Sequence, residues 1–279
     1  MATRRIRLVC VWLILLSGCT VSTAYNYMDW YVAWQVEDFV ELTREQETKL
    51  EIELKKIHAW HRETELKKYI SILESFKQAV KESETGLLSP KIDQVRDIWI
   101  QSTEYVTPSI VNMLKTLTPS QKQELVHNIK RLQLEHKEKW LEYDSQDNKK
   151  KLESRAERLE EYLGSLTQEQ MVLLHKLEDC LVNTVHLRIK SRKTWLTKFE
   201  RAIRADKVLD ENEITPLFTD FKSYRSAQHQ KAVSVNRALY VSFLEELLLT
   251  LTNEQKIHVE QKLSEVVDTL KALNGDFDS

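Results

Sequence analysis

The sequence predicts an all-α protein, an elongated bundle of long antiparallel helices arranged as two duplicated helical units. Three observations predict it. The 279 residues hold only four glycines and four prolines, while 30% are charged and 42% hydrophobic, so there is little material for hairpins and much for long amphipathic helices. A five-residue frame, Leu-Thr-x-x-Gln, occurs four times, each time spelled as a helix start. The four copies also fall into two pairs, with Thr43 and Thr118 75 residues apart and Thr167 and Thr252 85 apart.

The frames are Leu42-Thr43 with Gln46, Leu117-Thr118 with Gln121, Leu166-Thr167 with Gln170, and Leu251-Thr252 with Gln255. In each, Thr at the N-cap can accept from the N3 amide and Gln at N3 can reach back to the N-cap amide, which is a capping box. Pro119 stands at N1 of the second copy, where a missing N–H costs nothing. A box tolerates Ser or Thr and Glu or Gln, yet all four copies use Thr and Gln. The leucine repeats as well, although a hydrophobic staple needs an apolar N4 residue and only Met171 among Glu47, Lys122, Met171 and Lys256 supplies one. The repeated leucine is therefore expected to pack into a helix–turn–helix corner.

Element by element, residues 25–39 form a short aromatic-rich helix. Long helices follow over 44–84, 90–115, 119–163, 168–206, 211–249 and 253–273, and the polar YDSQDNKK stretch marks a place where the 119–163 helix can be interrupted. Gly86 and Gly164 stand at C-terminal caps, Ser89-Pro90 reads as a cap and N1 proline, and Asp210-x-x-Glu213 as a further capping box. A helix of about 40 residues is about 60 Å long, which makes the body elongated. Within the long arms, Leu66, Tyr69 and Leu73 match Leu196, Phe199 and Ile203 by apolar pattern. The expected divisions are a signal segment 1–18, an anchor and aromatic helix 19–40, a first unit 41–163 and a second unit 164–279.

The first nineteen residues, MATRRIRLVCVWLILLSGC, carry Arg4, Arg5 and Arg7 before the apolar run Leu8–Leu16, a run too short to span a bilayer. Leu16-Ser17-Gly18-Cys19 resembles the bacterial lipobox, which implies lipidation of Cys19, palmitate included, and a membrane partner through that lipid. An ordinary secretory signal with a chance cysteine is the alternative. Thr20 in place of aspartate resembles an outer-membrane sorting choice, so the expected location is an outer-membrane lipoprotein facing the periplasm. Removing 1–18 takes three of 41 basic side chains and moves the formal charge from −2 to −5. An acidic body without GxxxxGK[ST], GxGxxG or HExxH gives no reason to expect nucleic acid or a nucleotide cofactor, and no cofactor is expected. Cys180 is left unpaired in the mature chain and reads as a small apolar residue.

Three constellations carry candidate chemistry. His58, His61 and Glu65 follow at spacings of three and four, on one face of an ideal helix, amid an apolar stripe of Leu50, Leu54 and Ile57 continued by Tyr69, Leu73 and Phe76. They read as a Zn²⁺ or Ni²⁺ site, or as a buried His61–Glu65 hydrogen bond at a helix crossing. Tyr25, Tyr27, Trp30, Tyr31, Trp34 and Phe39 read as an aromatic face packed on the bundle, with membrane contact the alternative, since Asp29, Glu37 and Asp38 suit an anionic surface poorly. Arg188, Lys190, Arg192, Lys193, Lys198, Arg201 and Arg204 read first as a solvated face. No nucleophile–base pair can be read from spacing, and no enzyme is expected.

The four frames resemble those of the LTxxQ periplasmic stress proteins, the Spy-like and CpxP-like group. That resemblance implies a curved all-helical body that holds unfolded or envelope proteins without catalysis, with basic residues attracting clients and metal responsiveness in some members. Over most of the chain the sequence also resembles a family of Gram-negative lipoproteins without assigned activity. The residues carrying that likeness are Ala24-Tyr25-Asn26, Asp29-Trp30, Asp38-Phe39-Val40-Glu41-Leu42-Thr43 and the WHRETEL string with Trp60, His61, Arg62 and Glu65. The implied function is a lipid-anchored, chaperone-like binding protein of the envelope. A metal-binding sensor and a structural adaptor in outer-membrane or cell-wall assembly are the alternatives.

Overall fold

A computed structural model describes residues 19–204 and 208–275, with side chains from residue 22 onward. The signal segment and Leu16, Ser17 and Gly18 lie outside the described residues, and for Cys19 only the backbone is described. Every element among the described residues is helical. Helix α1 is Cys19–Asn26 and α2 Met28–Glu37, so the expected 25–39 helix is two pieces meeting at Tyr27. Next come α3 (Arg44–Trp60), a π-turn (His61–Glu65) and α4 (Leu66–Glu82), continuous as one arm. The rest are α5 (Leu88–Thr116), α6 (Pro119–Ser145), α7 (Asn148–Leu163), α8 (Gln168–Cys180), α9 (Val185–Ala202), the short α10 (Glu211–Ile214) and α11 (Pro216–Thr219), α12 (Ala227–Leu249) and α13 (Asn253–Gly275).

All four Leu-Thr-x-x-Gln frames start helices. In each, the Thr N–H donates to the Gln Oε1 at 2.9–3.1 Å, and the Gln N–H donates to Thr Oγ1 at 3.2–3.4 Å. The frames also bind one another in pairs. Gln46 and Gln121 donate Nε2 to each other's Oε1 at 3.0 and 2.7 Å, and Gln170 and Gln255 do the same at 2.7 and 2.8 Å. The second Nε2 hydrogen reaches the carbonyl two residues before the partner threonine: Thr116, Glu41, Thr250 and Ser165 at 2.7–3.1 Å. Each buried amide thus gives two hydrogen bonds and receives two. A glutamate would satisfy the capping box but has no hydrogen to donate across the pair, which explains the invariant glutamine. The frame leucines serve the same corners. Leu117 is buried and Leu42 packs beside it on Val40 and Val111, while Leu166 and Leu251 pack on the Leu152, Leu174 and Phe243 cluster.

Each half's arm ends on the other half's corner. The core at the first clasp takes Phe199, Ala202 and Ile203 from the end of α9, with Leu209, Ile214 and Leu217 beyond it. The cluster at the second clasp takes Val80 from the end of α4 and Leu88 from the start of α5, against Leu248 and Leu251. The Val, Leu, Ile and Phe side chains among them, when fully buried, contribute about 1.5–3 kcal/mol each. Helix α13 lies antiparallel along α4, tied by Lys256 Nζ to Ser83 Oγ at 2.6 Å and by Lys271 to Glu74 at 2.9 Å. Helix α9 lies along α6, with Lys130 on Glu200 at 2.7 Å.

Several boundaries depart from expectation for local reasons. The 119–163 helix is interrupted at Gln146 and Asp147, and Asp147 caps the new start on Lys150 N–H. The expected 168–206 helix breaks over 181–184. There Asn236 of α12 grips the freed backbone of Val182 from both sides at 2.8 Å, and the Asn183 side-chain Oδ1 accepts from the Val185 N–H. The expected 211–249 helix is only two short turns before a loop that runs to Ser226, the true N-cap of α12. Asp210 does cap its turn through the Asn212 N–H. Gly164 closes α7 with φ +76°, as expected of a glycine there, whereas α4 is closed by Ser83 at φ 54° and not by Gly86. Helix α5 begins at Leu88, so Pro90 falls within its first turn and Ser89 is no cap.

Candidate functional site

Two polar regions stand apart from the cores. The first is the π-turn. Its Leu66 N–H donates to His61 O, five residues back, so the arm holds one residue more than an α-helix would. That residue corrects a slip in the sequence pattern. Along an ideal helix the stripe Tyr69, Leu73, Phe76 is rotated by roughly 100° from Leu50, Leu54, Ile57, one residue's turn. Those residues continue the stripe only because the π-turn absorbs the offset.

The same turn separates the three expected metal ligands. Glu65 is fully buried and pairs with Lys68 Nζ at 2.7 Å, with Ser102 Oγ donating to its other oxygen at 3.3 Å. His61 Nδ1 instead meets Tyr25 Oη at 2.8 Å, and no His61–Glu65 hydrogen bond forms among the described residues. No group of three or more His, Cys, Asp or Glu that could hold a metal occurs among the described residues, so His58, His61 and Glu65 are not brought together as ligands.

The turn holds the N-terminal segment instead. Tyr25 packs edge-on to His58 at 4.8 Å, and Arg62 lies 5.3 Å over the Tyr25 ring while donating to Asn26 Oδ1 at 2.6 Å. Trp60 stacks on Tyr105 at 3.8 Å. The Ala24-Tyr25-Asn26 and WHRETEL strings, far apart in sequence, therefore form one latch. Burial pushes the Tyr25 hydroxyl up to about 12, against the Arg62 charge. Burial also holds both imidazoles below the ordinary histidine value, with Arg62 adding to the effect at His58 and Glu65 opposing it at His61. His58 Nε2 is buried with no hydrogen-bond partner among the described residues.

Of the expected aromatic face, Phe39 packs on the first core and Trp34 is half-buried between Trp30 and Tyr31. Tyr27, Trp30 and Tyr31 point outward, with Trp30 65% exposed, because α2 carries no buried residue to hold that side down.

The second region is an open cleft of about 960 Å³ between α5, α9, the 220–226 loop and α12. Arg188 and Arg192 face it from α9, Lys222 and Arg225 from the loop, and Arg96 and Trp99 from α5. A neighbouring hollow of about 670 Å³ shares Trp140 and Arg188 with it. On the 960 Å³ cleft, Ser191 Oγ and His229 Nδ1 are 2.6 Å apart, both buried. Burial, with Arg225 and Arg188, holds the His229 imidazole below its ordinary value, and burial raises the Tyr224 hydroxyl against Arg225 and Arg192. The Ser191–His229 pair, 38 residues apart, has no readable spacing. No carboxylate hydrogen-bonds to His229 among the described residues, and Arg188 and Arg225 disfavour its protonation. Two members of the expected basic face, Arg188 and Arg192, are cleft residues. Lys198 instead donates to the Ser223 carbonyl.

The fold and these sites define a class: an all-helical body on two glutamine-clasped corners, with a latched N-terminal segment and an open arginine-lined cleft. The chain belongs to a family of unknown function (DUF6279), whose model matches residues 38–230. That span includes the first clasp, the π-turn and the cleft residues from Arg96 to His229, and it excludes Tyr25 and Gln255. No curated protein and no solved structure matches the chain.

Proposed function

We propose that the protein is a lipid-anchored binding protein of the cell envelope, chaperone-like and without catalysis, held through Cys19 at the outer membrane and facing the periplasm. The observation carrying this reading is the cleft. It is about 960 Å³, part open to solvent, and its lining includes arginine and tryptophan, which suits holding part of a larger partner. The latch supports it, because Tyr25 and Asn26 fasten the chain six residues after Cys19 and so set the body at a defined distance from an anchored lipid. The four Leu-Thr-x-x-Gln frames, with their likeness to the LTxxQ stress proteins, point the same way. The test is suppression of aggregation of a chemically unfolded client. Suppression near equimolar protein, reduced in an Arg188→Glu/Arg192→Glu variant, is expected, and no suppression at equimolar protein contradicts the reading. For the anchor, Cys19→Ala should move the protein from the membrane to the soluble fraction of cells.

A structural adaptor in envelope assembly is the second reading, favoured by the outward row Tyr27, Trp30 and Tyr31. Crosslinking in intact cells separates the two, since an adaptor yields one dominant partner and a client-holding protein yields many.

A further inference from the structure

The cleft has an electrostatic feature that its role as an open surface does not require. Arg188, Arg192, Lys222 and Arg225 reach it from two separate elements, and none of the four forms an ion pair among the described residues. Their convergence is close enough to be felt by the floor. Arg188 and Arg225 both act on His229, and Arg192 and Arg225 both act on Tyr224. The acidic side chains on the lining are Glu104 and Asp220, and Asp220 already accepts from the Lys222 N–H within its own turn. The whole chain has a formal charge of −2, so this local excess of positive charge runs against the sign of the molecule. Like charges held together cost free energy unless something of opposite sign joins them, and guanidinium groups present planar forks of donors suited to phosphoryl oxygens. Arg188 is additionally fixed over the Trp140 ring at 5.2 Å, which pre-orients its fork. Trp99, 62% exposed on the opposite wall, offers a flat apolar surface beside the charges.

We infer that the cleft between α5, α9, the 220–226 loop and α12 binds an anion of the diphosphate class, held by Arg188, Arg192 and Arg225, with a planar or apolar body against Trp99. A single carboxylate would leave most of this positive charge unmatched, whereas a diphosphate supplies several negative charges and many acceptor oxygens. The inference rests on reading the cleft as a binding surface and names its ligand chemistry. A free diphosphate and a diphosphate on a lipid headgroup present the same group.

The experiment is a binding titration of the full chain, at low and at physiological salt, with inorganic pyrophosphate in one arm. A second arm uses phosphatidylcholine vesicles with and without a diphosphorylated lipid, and a third uses polyglutamate. Saturable pyrophosphate binding is expected, weakened about tenfold or more in Arg188→Gln and in Arg192→Gln. It should be unchanged in Lys190→Gln, which removes the same charge outside the cleft lining. Arg192→Lys should recover part of the loss. Because Arg192 is exposed, its variants keep the test valid if Arg188→Gln alters packing at Trp140. Binding confined to the diphosphorylated vesicles assigns the lipid source and supports the inference. No saturable phosphate binding in either arm, binding of polyglutamate alone, or an equal loss in Lys190→Gln overturns it. If the client assay succeeds while the phosphate arms fail, the ligand assignment falls and the binding-protein reading stands.

Discussion

The two halves of the molecule share their corners and differ in their arms. At the corners, Gln46 with Gln121 repeats Gln170 with Gln255 bond for bond, down to the carbonyl two residues before each threonine. In the arms, the first half runs as one rod through a π-turn, while the second breaks at residues 181–184. The second half also inserts α10, α11 and the 220–226 loop where the first passes from its arm into α5 through a single 3-10 turn, Thr85–Leu87. The repeated parts are those that close cores, and each clasp also receives the end of the opposite arm. The differing parts hold the two polar regions: the π-turn makes the latch for Tyr25, and the insertion makes one wall of the cleft. The clasps are therefore the frame, and the departures from symmetry are where binding chemistry is found.

The largest losses are expected at the clasps. Gln170 is fully buried and Gln46 6% exposed, so Gln170→Glu should cost about 4 kcal/mol and Gln46→Glu about 3, each leaving acceptors facing acceptors. Urea denaturation reads both, and the loss should grow as pH rises, because only a protonated glutamate can donate. Costs below 1 kcal/mol would show that the clasps are decorative. Lys68→Ala tests the first arm alone. It leaves buried Glu65 with Ser102 as its remaining partner and should cost about 3 kcal/mol, the low end because Lys68 is itself partly exposed.

The latch makes stability depend on pH. His58 and His61 have folded values below the ordinary histidine value of about 6.5, so the folded state favours their neutral forms. Their contribution is present above pH 6.5 and is lost as pH falls through the folded values. Melting temperature should drop from pH 7.5 to 5, and drop less in a His58→Gln/His61→Gln variant. His229 acts in the same direction from the other half, so His229→Gln should remove a separate part of the drop. Tyr25→Phe removes the hydroxyl that bonds His61, costing about 1 kcal/mol. Smallest of all, Trp30→Ala should stay within about 0.5 kcal/mol, since its ring is exposed.

The corners are legible in the sequence because capping is local: Thr and Gln three residues apart specify their own bonds, and the repeated choice of Gln over Glu signals a donor requirement. The pairing is legible too, in the spacing of the frames. The break at Leu181–Thr184 is not, because Asn236, 54 residues from Val182, satisfies the freed backbone. For the π-turn a signal exists, the one-residue slip between the two apolar stripes, and helical spacing alone overlooks it. That slip is also why His58, His61 and Glu65 look like a ligand set on an ideal helix and are not one. The cleft is half legible: the basic run on α9 is plain, but Lys222, Arg225 and His229 join it only through the fold.

Each glutamine pair acts as one unit tying two helix starts. Double-mutant cycles test it, with Gln170→Ala and Gln255→Ala in one cycle and Gln46→Ala and Gln121→Ala in the other. Coupling of about 2 kcal/mol within each pair, and additivity between Gln46 and Gln170, is the predicted result. Additive losses within the pairs would contradict it.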